Sequence, residues 1–202
     1  MNKKIKNYTA LAAVSIAVLP MACKKDKDTT STNDENIIDR TINQTLTATG
    51  SASEFGVEDS IDINSDGIFD FKLNTGGGAY YGSTYGYGYI HSLRTNTDLL
   101  TENATFGSET VKVLKTQNSG AKINAASSAW YYYGFTGYTY TGYTSVGFAG
   151  AGDKYIGFRL GLSDGSHYGW MKVNQSSDFR TLKVIELAYH KNANTEITVG
   201  AK

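Results

Sequence analysis

Proline and cysteine are almost missing from this sequence. Its 202 residues include one of each, Pro20 and Cys23, and both lie near the N-terminus. A single cysteine excludes an internal disulfide bond. A chain of this length is expected to form one domain, and that domain is large enough to bury a hydrophobic core.

The sequence also lacks an excess of charge of either sign. It has 19 lysine and arginine residues and 19 aspartate and glutamate residues. Without Lys3, Lys4 and Lys6, which lie in a segment that we expect to be removed, 16 basic residues remain against 19 acidic ones. Proteins that bind nucleic acid present a basic surface to the phosphates. We therefore expect no nucleic-acid partner.

Local catalytic motifs are missing as well. The sequence has no nucleophile elbow, no phosphate-binding loop and no cluster of histidine and cysteine. Its histidines are scattered without metal-ligand spacing (His91, His167 and His190). These absences predict that the protein is not an enzyme. A carboxylate pair for glycoside hydrolysis leaves no local motif, and Glu102, Glu109 and Glu186 are the acids that this alternative would use.

Residues 1–22 are predicted to be a signal peptide. A basic start precedes the apolar run Tyr8–Ala22, which contains no charged residue. This run of 15 residues is shorter than the about 20 residues that a membrane-spanning helix needs. Export and removal of the segment are therefore expected, rather than a permanent anchor helix.

The end of this segment, Leu19–Cys23, resembles the lipobox of bacterial lipoproteins, in which a small residue precedes the acylated cysteine. Ala22 is that small residue, and Pro20 stands where the pattern favours leucine. The resemblance implies that Cys23 carries acyl chains and anchors the protein. It further implies an exported protein in the outer membrane or on the cell surface of a Gram-negative bacterium. A chance cysteine in an ordinary secretory signal is the alternative.

Residues 23–36 are predicted to be a flexible tether. The charged stretch Lys24–Asp28 is followed by threonine, serine and asparagine, and this composition is too polar to be buried. The lipid would anchor the protein and the tether would give the domain reach.

Residues 37–202 are predicted to form one all-β domain, an antiparallel β-sandwich or a jelly-roll-like fold. Short runs of alternating apolar and polar residues are separated by clusters of Gly, Asn, Asp and Ser. The runs Tyr155–Leu160 and His167–Val173 flank a turn that contains Asp164-Gly165, which predicts a hairpin. Several short strands of this kind are typical of sandwiches.

The segment from Asp62 to Asp70 has the spacing of a calcium-binding loop. Oxygen ligands recur at alternate positions around a glycine, and calcium prefers hard oxygen ligands. The candidate ligands are the side chains of Asp62, Asn64, Asp66 and Asp70 and the carbonyl of Ile68. Leu73 stands where an EF-hand has glutamate, so Glu58 or Asp59 would complete the site. The calcium would be structural. The alternative is an Asx-rich turn in which these side chains bind their own backbone.

Tyrosine is concentrated in two segments. Eleven of the 15 tyrosines lie in Tyr80–Tyr89 and Tyr131–Tyr143. Tyr85 and Tyr87 alternate with glycine, and Tyr138 and Tyr140 alternate with threonine, so each set would line one face of a strand. Exposed rings of this kind are candidates for stacking on sugars. Core packing, a cross-strand ladder and a mobile Gly/Tyr loop are the alternatives, and packing or loops are favoured over a ligand platform.

Three elements carry a resemblance to uncharacterised secreted or surface-anchored bacterial β proteins. They are the segment Asp62–Phe71, the hairpin with Tyr155–Leu160 and His167–Val173, and the strand Ile185–Tyr189. The resemblance covers most of residues 55–190. It implies a β-sandwich-like domain outside the cell and implies no activity.

Two functions remain open from the sequence. The first is a membrane-anchored, exported lipoprotein with a structural or adhesive β domain, braced by calcium. The second is a surface lipoprotein that binds glycans on its tyrosine-rich strands. Polysaccharide or another surface protein would be the partner. A ligand platform needs exposed rings near polar groups, whereas a structural row has its rings covered.

Overall fold

A computed structural model describes residues 34–202, and this part of the chain is all-β. The prediction of an all-β, largely antiparallel fold is confirmed. None of the residues from 34 to 202 lies in a helix that is long and apolar enough to cross a membrane.

Sixteen strands make up the domain. In chain order they are β1 (Ile37–Thr47), β2 (Thr49–Gly50), β3 (Glu54–Ile61), β4 (Phe71–Tyr80), β5 (Ser83–Ser92), β6 (Asp98–Phe106), β7 (Glu109–Leu114), β8 (Thr116–Gln117), β9 (Lys122–Ile123), β10 (Trp130–Tyr131), β11 (Tyr133–Tyr140), β12 (Val146–Gly147), β13 (Lys154–Leu162), β14 (Gly165–Gln175), β15 (Thr181–His190) and β16 (Ile197–Thr198).

The strands form two layers that β6 connects. The first layer has the order β1-β15-β14-β13, and the second has the order β7-β11-β5-β4-β3-β2. The first half of β6 pairs with β13 and its second half pairs with β7. The pair β7 and β11 is parallel, whereas the other pairings in residues 34–202 are antiparallel. The predicted hairpin is β13 and β14, closed by Ser163 and Asp164.

The core lies between the two layers. Phe71, Leu73 and Ile90 from the second layer pack with residues of the first, and Phe71 meets Phe158 edge to face at 5.9 Å between ring centroids. Strand β14 is buried on both faces, since Trp170 on its other face packs in a second cluster beneath the small β9–β16 sheet. In strands with one buried face, such as β5, a shift of register by one residue would turn the buried residues outward.

A buried hydrogen-bond network joins the layers at Gln175 of β14. The Gln175 side-chain amide donates to Thr75 Oγ1 at 3.0 Å and to the Thr181 carbonyl at 3.1 Å. Its Oε1 accepts from Thr136 Oγ1 at 3.0 Å, and Thr75 Oγ1 donates to the Phe179 carbonyl at 2.6 Å. Thr75, Thr136 and Gln175 are fully buried. A satisfied network of this kind specifies one relative position of the two layers.

The domain has two distinct ends. The described chain begins at Asp34 and enters β1 beside the loop 62–70, because Arg40 Nη1 donates to the carbonyls of Asp62 and Ile63. Strand β1 then runs to the opposite end, where Ala48 bonds to Arg180 and β2 pairs with the start of β3. We call the end with the loop 62–70 the loop end. The opposite end is called the tyrosine end, because it contains the β4–β5 turn with Tyr80 and Tyr81.

Replacing Gln175 by alanine tests the importance of the network. The change leaves the buried hydroxyl of Thr136 without its acceptor and opens a cavity, so we predict a loss of about 2–4 kcal/mol in the free energy of unfolding. Denaturant unfolding measures this loss. Asn174→Ala is the matched control, since the side chain of Asn174 donates to Asp153 at the surface. The free energy of unfolding of this variant should stay within about 0.5 kcal/mol of that of the unchanged protein. Equal stability of the two variants would contradict the prediction.

Candidate functional site

The direction of the β5 side chains is determined by the glycines between its tyrosines. A Cβ atom on Gly86 would lie 2.3 Å from the Phe179 ring, and one on Gly88 would lie 2.1 Å from Gln175 Oε1. These inward positions therefore accept only glycine. The intervening residues Tyr85, Tyr87 and Tyr89 must point to the other face of the layer, away from the core.

The outward residues of β5 and β11 form one continuous surface, which we call the aromatic face. Across the two strands, Tyr85 pairs with Tyr140, Tyr87 with Tyr138, and Tyr89 with Phe135. A β-bulge between Phe135 and Gly137 allows Phe135 and Tyr138 to share this face, with 5.4 Å between their ring centroids. Two further rings contact this face, from Phe106 at the end of β6 and from Tyr143 in the turn after β11.

Tyr87 lies flat across the sheet. Its partner on β4 is Gly76, where a Cβ atom would come within 2.8 Å of Tyr87 Oη and 2.9 Å of Cζ. A Cβ atom on Gly56 of β3 would lie 3.7 Å from the same hydroxyl. The ring therefore covers two neighbouring strands instead of standing up from them. Partial burial raises the Tyr87 pKa, with smaller contributions from the nearby tyrosines and from Glu54 and Glu58, so the phenol keeps its proton.

The other half of the face is held by contacts between rings. Phe106 lies 4.5 Å from Tyr138 and 5.2 Å from Tyr143 between centroids. Gly107, with a φ of 62°, leaves room for Tyr143, whose ring would be 2.6 Å from a Cβ atom at that position. These contacts fix the rings before any ligand arrives.

Two open grooves flank a ridge formed by Tyr138 and Tyr140. The Glu109 groove, of about 470 Å³, lies between this ridge and Phe106 and Tyr143. The Glu54 groove, of about 410 Å³, lies between the ridge and Tyr80 and Tyr85. Both volumes fall in the range of small-molecule sites. The four tyrosines predicted from the sequence (Tyr85, Tyr87, Tyr138 and Tyr140) thus come together on one surface.

The tyrosine rows form a cross-strand ladder, which is one of the packing interpretations that the sequence favoured. The ladder lies on the outside of the layer and not in the core. Tyr140 is 37% exposed, Tyr143 is 52% exposed and Tyr80 is 69% exposed, while Tyr85, Tyr87 and Tyr138 are half-buried. Of the four predicted tyrosines Tyr140 is therefore the most exposed, and a ligand platform stays a prediction.

The loop 62–70 folds around its own backbone. Asp62 accepts from the amides of Ser65 at 2.7 Å and Gly67 at 2.8 Å. Asn64 Oδ1 accepts from the amide of Asp66, and Asp66 Oδ1 accepts from that of Ile68. Asp70 is fully buried and accepts from the Ile63 amide at 2.7 Å. All five predicted calcium ligands therefore belong to one compact loop.

Arg94, which the sequence did not single out, supplies a positive charge to this loop. Its Nη1 donates to Asp66 Oδ2 at 2.8 Å and to Asp70 Oδ1 at 3.1 Å. The hydrogen bond from Arg94 is the largest cause that lowers the Asp66 pKa to about 2. Burial is the main effect on Asp70 and raises its pKa.

The donor set of the loop suits calcium, but Arg94 competes for two of the carboxylates. In residues 34–202 no three His, Cys, Asp or Glu side chains are arranged to hold a metal ion. Binding would require Arg94 to release Asp66 and Asp70, with a further ligand from Glu58 or Asp59. Glu58 instead forms an ion pair with Lys72, and Asp59 accepts from Gln44. Calcium at this loop stays a prediction.

The acids considered for hydrolysis do not share a site. Glu102 and Glu109 line different grooves, and Glu186 contacts Lys202 and Lys172 on the other layer. Among the histidines, His167 is buried and contacts Asp164 and the His190 carbonyl. The predicted lipidation site Cys23 and the signal peptide lie outside the described residues.

Comparison of the chain with known protein families, with curated proteins and with solved structures gives no match.

Replacing Arg94 by glutamine tests whether the charge of Arg94 stabilises the loop 62–70. The buried carboxylate of Asp70 loses its charged partner, so we predict a loss of about 2–3 kcal/mol in the free energy of unfolding. If the loop can bind calcium, the ion takes over this charge, and calcium should raise the melting temperature of the variant more than that of the unchanged protein. Lys72→Gln is the control, because it breaks the more exposed ion pair between Lys72 and Glu58. It should lower the free energy of unfolding by less than about 1 kcal/mol. A melting temperature that calcium leaves unchanged in both proteins would contradict calcium binding.

Acid should remove the contribution of Asp66. Its pKa in the folded protein is about 2, below the ordinary value of 3.8. Its charged form therefore stabilises the fold above that ordinary value, and this contribution is lost as the pH falls toward 2. Since asparagine does not titrate, the difference in melting temperature between the unchanged protein and Asp66→Asn should shrink between pH 5 and pH 2. A difference that stays constant over this range would refute the assignment.

Proposed function

We propose that the protein is an exported lipoprotein, anchored through Cys23, whose β domain is a non-catalytic adhesive module. The aromatic face is the surface that binds. The observation that carries this proposal is a set of ordered, partly exposed rings on the outside of one layer, next to two open grooves. Large exposed apolar surfaces on soluble domains mark interaction sites.

The order of the rings supports binding over a purely structural role. Tyr87 is seated over Gly76, and Tyr143 is seated over Gly107. Tyrosines that are already fixed lose little conformational entropy when a ligand binds, and each offers a large contact area with a polar tip. A stabilising ladder would need its rings covered, whereas Tyr140 and Tyr143 are exposed.

The position of the face supports an anchored protein that binds outward. The chain enters the domain at the loop end, and the grooves with Tyr80, Tyr85 and Tyr140 lie toward the tyrosine end. A lipid on Cys23 would be connected to the domain through Asp34, and the chain enters β1 beside the loop 62–70. The membrane would then be the partner of the N-terminus, and a polysaccharide or surface protein the partner of the aromatic face.

The loop 62–70 belongs to the same proposal as a structural brace near the attachment point. Arg94 or calcium would neutralise Asp66 and Asp70 there, far from the rings. Neither would touch a bound ligand, so a brace and a binding face can coexist in one small domain.

Adhesion of bacteria that express the full chain tests the proposal. Cells with the unchanged protein should adhere several-fold more to plates coated with mixed polysaccharide or protein than cells with Tyr138→Ala/Tyr140→Ala. Tyr132→Ala is the matched control, since Tyr132 is 52% exposed and lines neither groove. Equal adhesion by the Tyr138/Tyr140 variant, at equal surface amounts, would refute the role of the face.

The anchor is tested separately on the same cells. A fatty-acid analogue with a clickable tag should label the unchanged protein, and Cys23→Ser should abolish labelling and release the protein from the membrane fraction. Labelling that persists in Cys23→Ser would contradict the lipid assignment.

A further inference from the structure

We propose that the ligand of the aromatic face is an uncharged polysaccharide that lies across the Tyr138–Tyr140 ridge and fills both grooves. This inference rests on the proposed function, because it names the ligand of the same surface. It follows from the shape of the rings, the charge of the grooves and the hydrogen-bonding groups beside them.

The shape of the face fits a flat, amphipathic ring. The C–H groups of a sugar form an apolar face, and its hydroxyls form a polar rim. A sugar can therefore stack on a tyrosine while its rim reaches nearby polar atoms. Tyr87 lies flat on the sheet. Tyr138 and Tyr140, which form the ridge, line both grooves. Because the grooves share this ridge, a chain of sugars can occupy both.

The charge of the grooves selects against acidic ligands. Glu109 lines one groove and Glu54 lines the other, and among residues 34–202 no lysine, arginine or histidine lines either. A carboxylate accepts hydrogen bonds from sugar hydroxyls and repels uronate or sulfate groups. The charge of the grooves therefore excludes an acidic polymer.

The hydrogen-bonding groups also argue against a proline-rich peptide, the other common ligand of aromatic grooves. Such a peptide presents mainly backbone carbonyls, because proline has no N–H group. Glu54 and Glu109 cannot donate to a carbonyl, so such a peptide would be bound only by the tyrosine and serine hydroxyls of the grooves. A sugar can use the two carboxylates as well, because its hydroxyls donate to them.

A methylated ammonium group is disfavoured by distance. An aromatic cage needs a gap between its rings for the cation. Phe106 instead contacts both Tyr138 and Tyr143, with ring centroids 4.5 and 5.2 Å apart. All three residues line the Glu109 groove.

Native gel electrophoresis of the full-length protein in detergent tests the proposal. The gels contain hydroxyethyl cellulose, xylan, mannan or dextran as neutral polymers, and alginate or polygalacturonate as acidic ones. We expect at least one neutral polymer to retard the protein and neither acidic polymer to do so. Tyr138→Ala/Tyr140→Ala should weaken retardation about tenfold or more, as loss of central aromatic anchors does. Tyr132→Ala should leave it unchanged, and equal far-ultraviolet circular dichroism confirms that each variant is folded.

Glu54→Gln/Glu109→Gln tests the charge argument on its own. The variant keeps the rings and removes the repulsion, so it should bind an acidic polymer that the unchanged protein rejects while still binding the neutral one.

The outcomes separate this inference from the proposed function. Retardation by an acidic polymer, with or without a neutral one, or by none of the six polymers, would overturn the neutral-polysaccharide inference. If cell adhesion still depended on Tyr138 and Tyr140, the adhesive function would stand and its ligand would be another class, such as a protein. If adhesion did not depend on these residues either, both proposals would fail.

Discussion

The buried amide of Gln175 is the interaction on which the arrangement of the domain depends. It occupies the space that a side chain on Gly88 would need and joins β14 of one layer to Thr75 and Thr136 of the other. Because β5 alternates strictly, the inward glycines at 86 and 88 force the tyrosines between them outward. The same contact that joins the layers thereby produces the aromatic face. The strand that carries Tyr85, Tyr87 and Tyr89 is therefore held directly against the core.

The two ends of the sandwich have separate roles. At the loop end, charged groups satisfy one another around Asp66, Asp70 and Arg94, and the N-terminal segment enters the domain. Toward the tyrosine end, glycine at positions 76 and 107 leaves space into which tyrosine rings settle. Glycine is usually a weak strand residue because it packs nothing. Here the Tyr87 ring packs over Gly76 and the Tyr143 ring packs over Gly107. The aromatic rings thus fill the space that larger side chains would occupy at these positions.

Much of the fold could be predicted from the sequence, because short alternating runs bounded by turn residues mark strands such as β13 to β15. Strand β3 does not follow from this pattern, since Glu54–Ile61 has adjacent acidic residues at Glu58 and Asp59 and few apolar ones. The tyrosines of the face were identified from their spacing, but their side of the sheet was not. That side depends on Phe179 and Gln175, which are distant in the chain. Arg94 was missed for the same reason, because a guanidinium 24 residues from Asp70 leaves no local pattern.

Hydroxyl-radical footprinting of the tyrosines, read by mass spectrometry on intact cells with and without a neutral polysaccharide, tests the central claim most directly. If the core holds the rings outward and they contact the ligand, Tyr138 and Tyr140 will be oxidised in the free protein and protected when the polymer is bound. Tyr132 will be oxidised equally in both conditions. Tyr138 and Tyr140 that resist oxidation in the free protein, or that react alike with and without the polymer, would contradict the account.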